Sequence, residues 1–222
     1  MNNVFFISGI DTNIGKTYAT GMLAKALAQR GKRVITQKLV QTGCTHLSED
    51  ILTHRHLQGI PLTEEDQAGW TCPYIFTYPC SPHMAAERDQ RAIDFHVIEA
   101  CTQALSQRYD IVLLEGAGGL MVPLDDSTLT IDYVALHRYP LVLVTCGRLG
   151  SLNHTLLSIE ACEARGIPVA TILYNEYPAE DEAIQRNTLQ YLQRRYPTTP
   201  ILLLPQADKG EIDPQSLPDT LL

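Results

Sequence analysis

Short, uninterrupted apolar runs recur along the chain and alternate with segments whose apolar positions fall three and four residues apart. Val4-Phe-Phe-Ile-Ser8 is the first run, bounded by Gly9, and predicts a buried strand. From about Lys16, Ala19, Met22, Leu23, Ala26 and Leu27 repeat at helical spacing until Gly31 stops the pattern. Arg33 to Val40 predicts a second strand. Asp94 suits the N-cap of a helix with Ile98, Cys101, Thr102 and Leu105 on its apolar face. Ile111 to Leu114 is a fully apolar strand ending at Glu115 and Gly116, and Leu141 to Thr145 is another. Leu152, Leu156, Ile159 and Cys162 mark a helix ending near Gly166, followed by a strand over Val169 to Leu173. Ile184, Thr188, Tyr191 and Leu192 mark a late helix, and Ile201 to Leu204 a last strand closed by Pro205.

The strands are continuous apolar runs, which belongs to a parallel sheet covered by helices on both faces. In such α/β folds ligands bind beyond the carboxyl ends of the strands. The stretch from about Leu57 to Arg91 holds Pro61, Trp70, Pro73, Pro79 and Pro82 and is less regular. It suits a binding loop or lid, or hides a helix.

With 45% of 222 residues hydrophobic and no Gly/Ser- or Pro-rich linker, the chain reads as one domain. A formal net charge of −8 argues against nucleic acid and anionic membrane as partners, yet leaves room for a local anion site. Val4–Ile7 is too short for a secretory core and Met1–Ser8 carries no Lys or Arg, so a cytoplasmic location is expected. Cys44, Cys72, Cys80, Cys101, Cys146 and Cys162 form no C-x-x-C pair and read as reduced thiols. The seven histidines show no metal-ligand spacing, and His54-Arg-His56 reads as an exposed helical turn.

Chemistry is concentrated where strands end. Gly9-Ile-Asp-Thr-Asn-Ile-Gly-Lys-Thr17 follows the first strand and opens the first helix, the context a phosphate-binding loop requires. Its backbone N–H groups and the helix start favour phosphate, Lys16 reaches the outer phosphates and Thr17 offers a hydroxyl to magnesium. Five residues separate Gly9 from Gly15, one more than the common spacing. A strand beginning at Asp110 delivers Glu115 to the carboxyl edge, where a carboxylate completes a magnesium site, and Gly116, Gly118 and Gly119 allow a ligand close to the backbone. Asp50 is a second carboxylate candidate. Lys38, inside the second strand, is an unusual buried cation. Its strand is expected beside the phosphate loop, where a second positive charge suits phosphoryl transfer.

That loop, together with Lys38-Leu-Val-Gln-Thr42-Gly43, Ser81-Pro-His83, Glu115-Gly-Ala-Gly-Gly119, Leu149-Gly-Ser-Leu-Asn-His154 and Asn175 in this order, resembles the dethiobiotin synthetases. The likeness runs from about Val4 to Pro205, with Asn13, Leu39 and Thr42 standing where an acidic residue, a proline and a serine are usual. It implies a single-domain P-loop enzyme that uses ATP and Mg2+ to join CO2 to 7,8-diaminopelargonic acid. An amine captures CO2 as a carbamate, which attacks the γ-phosphate, and the second amine closes a cyclic urea. The resemblance further implies that Asn13, Ile14, Gly15, Lys16, Thr17 and Tyr18 hold the triphosphate. Thr17, Asp50 and Glu115 would hold Mg2+, while Lys38, Lys16 and Thr12 serve catalysis. Gly116, Ala117 and Gly118 would approach the nucleotide, Asn175 and Glu176 would meet its adenine, and Pro205, Gln206 and Ala207 would flank the base. Thr42 would contact the substrate, together with Lys38, and Gly150, Ser151, Leu152 and Asn153 would receive its carboxylate, commonly across a homodimer interface.

Rival readings exist on the same fold. A switch ATPase of the kind that partitions plasmids or sets division sites typically carries an extra early lysine in the loop, and Ile10 and Asp11 occupy that stretch. A corrinoid amidase needs a glutamine-hydrolysing domain that 222 residues cannot hold. A degenerate nucleotide-binding module would not be expected to keep Lys16, Thr17, Lys38 and Glu115.

Overall fold

A computed structural model describes residues 3–177, 181–206 and 210–222. Its central sheet has six parallel strands among the described residues, in the order β2-β5-β1-β6-β7-β8. These are β1 (Val4–Gly9), β2 (Val34–Lys38), β5 (Ile111–Gly119), β6 (Leu141–Cys146), β7 (Val169–Asn175) and β8 (Ile201–Leu204). β3 (Gln41–Thr42) and β4 (Ile75–Phe76) make a separate two-residue parallel pair. The helices are α1 (Lys16–Gln29), α2 (Glu49–Gln58), α3 (Glu64–Gln67), α4 (Pro82–Arg88), α5 (Phe95–Arg108), α6 (Thr130–His137), α7 (Ser151–Glu163) and α8 (Glu182–Arg195). The all-buried apolar strands β1 and β6 at the centre explain why these runs do not alternate.

Strands earlier and later in the chain lie on opposite sides of β1, so the carboxyl ends near β1 form the crevice expected of such a sheet. β2 does not lie beside the strand that feeds the phosphate loop, contrary to the expectation from sequence. β5 inserts between them, because β2 pairs with β5 in a register that sets Lys38 opposite Glu115. Lys38 still reaches the crevice, by the length of its side chain across β5.

Asp94 caps α5 by accepting from the His96 N–H at 2.9 Å, as its position predicts. α6 was not legible as a periodic segment. The irregular 57–91 stretch contains two helices. Thr63 and Asp66 close a reciprocal capping box on α3, and Pro82 occupies the first turn of α4. α2 packs on α1 so closely that a Cβ at Gly21 would lie 2.6 Å from Leu57 Cδ1 and 3.3 Å from the His54 Cα. That contact sets the α2 residues Asp50 and His54 against the helix that begins with Lys16 and Thr17.

The turn expected to be exposed, His54-Arg55-His56, is buried at its first two residues and exposed only at His56. The guanidinium of Arg55 donates to both oxygens of Asp66, at 2.8 and 2.7 Å. Asp66 also accepts from the Thr63 N–H at 2.8 Å and the Thr71 hydroxyl at 2.7 Å. Burial opposes ionisation of Asp66, but Arg55 and these donors outweigh it and hold the carboxyl below its ordinary value. Asp66→Ala strands a buried guanidinium. It should destabilise the fold by about 3–5 kcal/mol in urea unfolding. Because the folded carboxyl titrates below its unfolded value, the wild-type advantage should be complete above about pH 4 and disappear as pH falls through the lower folded value.

Candidate active site

The first turn of α1 places Lys16 and Thr17 at the end of β1. Gly15, the residue before the helix, has φ 94° and ψ 26°, a left-handed conformation that glycine adopts without strain. A Cβ there would meet Asn175 Nδ2 at 2.4 Å. Asn175, at the end of β7, donates from Nδ2 to the Ile14 carbonyl at 3.0 Å and accepts from the Tyr177 N–H at 3.0 Å. Its amide therefore braces the loop from the far side. Asp11 forms an ion pair with Arg148 beyond β6 and accepts from the Thr12 N–H at 2.7 Å. Lys16 Nζ donates to the Asp11 carbonyl at 3.2 Å.

Three side chains from three other places in the fold converge on this loop. Thr17 Oγ1 lies 2.9 Å from Asp50 Oδ1 and 3.3 Å from Glu115 Oε1. One hydroxyl proton can satisfy only one of those oxygens. Lys38 Nζ donates to Glu115 Oε1 at 2.9 Å and to the Gly116 carbonyl at 3.0 Å, and pairs with Asp50. Glu115 is wholly buried and Lys38 nearly so. Burial works against both charges. For Lys38, Glu115 and Asp50 overcome it and raise the ammonium's pKa. For Glu115, Lys38 and His54 overcome it and drive the carboxyl well below the usual range. For Lys16 the compensation falls short. Burial, reinforced by the charge of Lys38, lowers its pKa to about 8 despite Glu115 and Asp50.

These groups open onto a cavity of about 740 Å³, which Thr12, Asn13, Thr42, Ala117, Gly118 and the Ser81–Pro82 turn also line. The residues named from sequence thus fall into three places. The phosphate-loop, carboxylate and Lys38 groups, with Thr42, share the main cavity. Ile14, Tyr18 and Gly116 do not line it, though the Gly116 carbonyl accepts from Lys38. Asn175, Glu176, Pro205 and Gln206 gather at the ends of β7 and β8, where the Gln206 amide donates to the Glu176 carbonyl at 3.2 Å. Ala207 lies outside the described residues. Gly150–Asn153 open α7, with Gly150 and Leu152 on a separate cavity of about 460 Å³.

Sequence reasoning missed His54. Its Nε2 lies 2.9 Å from Glu115 Oε2. The available signal was spacing, since His54 is four residues after Asp50 and falls on the same face of α2.

A protein-family model described as an AAA domain matches residues 3–210. ATP-dependent dethiobiotin synthetase BioD 2 of Pasteurella multocida is 56% identical over 194 residues, covering 87% of this chain and 91% of that protein. The Haemophilus influenzae protein of the same name is 59% identical over 181 residues, 82% of this chain and 95% of that one. ATP-dependent dethiobiotin synthetase BioD of Chlorobaculum tepidum is 56% identical over 189 residues, 85% of this chain and 79% of that protein. The chain belongs to the dethiobiotin synthetase family. A ParA family ATPase from Chlorobium tepidum superposes with a TM-score of 0.55 at 16% identity, over 94% of this chain and 86% of that one. At that identity the likeness is one of fold alone. As a member of the dethiobiotin synthetase family, the chain takes ATP as its co-substrate.

A triphosphate held by this loop would restore the charged ammonium of the depressed Lys16, so ATP binding there should be proton-linked. In metal-free buffer, ATP affinity should be flat well below pH 8. It should fall as pH rises through that value, approaching about tenfold per pH unit. Calorimetry at pH 8 in buffers of different ionisation enthalpy should register uptake of about half a proton per site. Lys16→Met should abolish that uptake.

Proposed function

We propose that this chain joins CO2 to 7,8-diaminopelargonic acid at the expense of ATP, closing the cyclic urea of dethiobiotin in biotin synthesis. The observation that carries the reading is the pair of lysines facing one cavity: Lys16 on the phosphate loop and Lys38, held charged by Glu115 and Asp50. One amine of the diamine takes CO2 as a carbamate. A carbamate oxygen then attacks the γ-phosphorus, ADP leaves, and the second amine attacks the carbamoyl carbon to expel phosphate. Each step moves negative charge between carbamate and phosphoryl oxygens. Lys38 neutralises that charge from the wall of the cavity, while Lys16 and the loop N–H groups hold the phosphates. Thr12 and Thr42 supply hydroxyls at the cavity's edge.

Thr17, Asp50 and Glu115 suit Mg2+. Among the described residues no cluster of three His, Cys, Asp or Glu side chains is present. A hydroxyl and two carboxylates instead offer the few hard oxygen ligands that Mg2+ takes alongside substrate phosphates. Bound there, the ion offsets phosphate charge during transfer.

The carboxyl ends of β7 and β8, with Asn175, Glu176, Pro205 and Gln206, adjoin the loop and suit the adenine. Asn175 can meet the base edge while keeping its bonds to Ile14 and Tyr177, because its amide has a second N–H and a second lone pair. The opening turn of α7, at Gly150–Asn153, has no side-chain cap; the Ser151 N–H is taken by the Arg148 carbonyl at 3.1 Å, and the helix start still suits a carboxylate. It does not share the Lys38 cavity, and Leu149 and Leu157 beside it are exposed. A homodimer in which a second copy brings this turn to the cavity accounts for both facts. Six free cysteines suit the reducing cytoplasm.

ADP release should require both the diamine and bicarbonate, and fall to background when either is omitted. Release that ignores the diamine and responds instead to DNA or lipid would overturn the synthetase reading in favour of a switch ATPase.

A further inference from the structure

Behind Glu115 runs a buried chain of hydrogen bonds that the proposed reaction does not use. Asp66, Arg55, Thr36, His54 and Glu115 follow one another from α3 to the middle of β5, all of them buried. Arg55 Nη1 donates to Thr36 Oγ1 at 2.7 Å. Thr36 Oγ1 lies 3.0 Å from His54 Nδ1, and His54 Nε2 lies 2.9 Å from Glu115 Oε2.

The order of donors follows from chemistry. A guanidinium can only donate, so Thr36 accepts from Arg55. The hydroxyl proton of Thr36 then needs an acceptor, and His54 Nδ1 is the one within hydrogen-bond reach among the described residues. With Nδ1 accepting, Nε2 carries the ring proton and donates to Glu115. Arg55 is itself locked by its two bonds to Asp66. The consequence falls on Glu115. Its Oε2 is tied to His54, and its Oε1 alone faces Lys38 and Thr17.

We propose that His54 is a positioning residue, its tautomer fixed by the Asp66–Arg55–Thr36 relay, which ties one oxygen of Glu115 so that only the other is presented to the divalent cation. This rests on the reading of Glu115 as a Mg2+ ligand. A carboxylate tied through one oxygen offers the other singly, which suits the strict octahedral demand of Mg2+. Partners of this kind fix ligand orientation, and losing one weakens metal affinity about 10–100-fold. Freed from His54, Glu115 can rotate and its Oε2 is left buried without a donor.

The test uses the full-length protein with a non-hydrolysable ATP analogue, titrated with Mn2+ and followed by electron paramagnetic resonance. His54→Leu should weaken Mn2+ affinity by about 10–100-fold. Affinity for the analogue without metal should not change. His54→Gln, which returns an N–H at the reach of Nε2, should recover most of the loss. In turnover His54→Leu should raise the Mg2+ requirement more than it lowers kcat at saturating Mg2+. Equal Mn2+ affinity in wild type and folded His54→Leu would overturn the proposal, as would a loss that His54→Gln does not relieve. Glu115→Gln separates the underlying reading, because unchanged Mn2+ affinity in that variant removes the metal role of Glu115 and this proposal with it. If His54→Leu does not fold, nitrogen-15 spectra of the wild-type imidazole decide. A ring protonated at Nε2 with Nδ1 bare is expected, and one protonated at Nδ1 overturns the proposal.

Discussion

The site is organised around one ammonium–carboxylate pair, Lys38 with Glu115, buried where β2 ends against the middle of β5. Taking two charges out of water is costly, and their attraction offsets that cost only when the remaining polar valences are filled. Here they are. Lys38 also bonds Asp50 and the Gly116 carbonyl, and Glu115 also bonds His54. Strand register makes the pairing obligatory, because the residues are direct partners in the sheet. A leucine at position 38 matches the lysine in bulk but leaves a buried carboxylate without its counter-charge.

From that pair the rest of the site follows. Glu115 presents one oxygen towards Thr17 at the opening of α1, and Asp50 arrives on α2 because Gly21 lets α2 close on α1. Lys16 is left as the cation whose charge the protein does not neutralise, lowered to about 8 and completed only by an anionic ligand. The proposed reaction would use both lysines, Lys16 to receive the phosphates and Lys38, kept charged by its carboxylates, to offset charge on the transferring group.

Most of the fold was legible because the strands are unbroken apolar runs and the helices have clear faces. The strand bearing Lys38 and the loop bearing Lys16 were placed correctly along the chain, yet their neighbourhood was not, since apolar pattern carries no information about which parallel strand lies beside which. α6 escaped because it is short and begins after a loop with no strong stop signal. Burial of Arg55 escaped for a different reason. A lone arginine reads as solvated until its partner is known, and Asp66 lies on a four-residue helix that no periodicity announces. Lys16 and Thr17 follow the end of β1 as the sequence predicts, whereas β5 runs on past Glu115 to Gly119, so Glu115 sits inside its strand and not at the end. His54 needed the α2 face established first.

The direct test of the account is a double-mutant cycle on Lys38→Met and Glu115→Gln, with unfolding free energy measured in urea for all four proteins. If the buried pair organises the site, each single change should destabilise the protein and the double change should fall short of their sum, by roughly 1–3 kcal/mol of coupling. Additive losses, within about 0.5 kcal/mol, would show that the two charges do not depend on each other and would contradict the account.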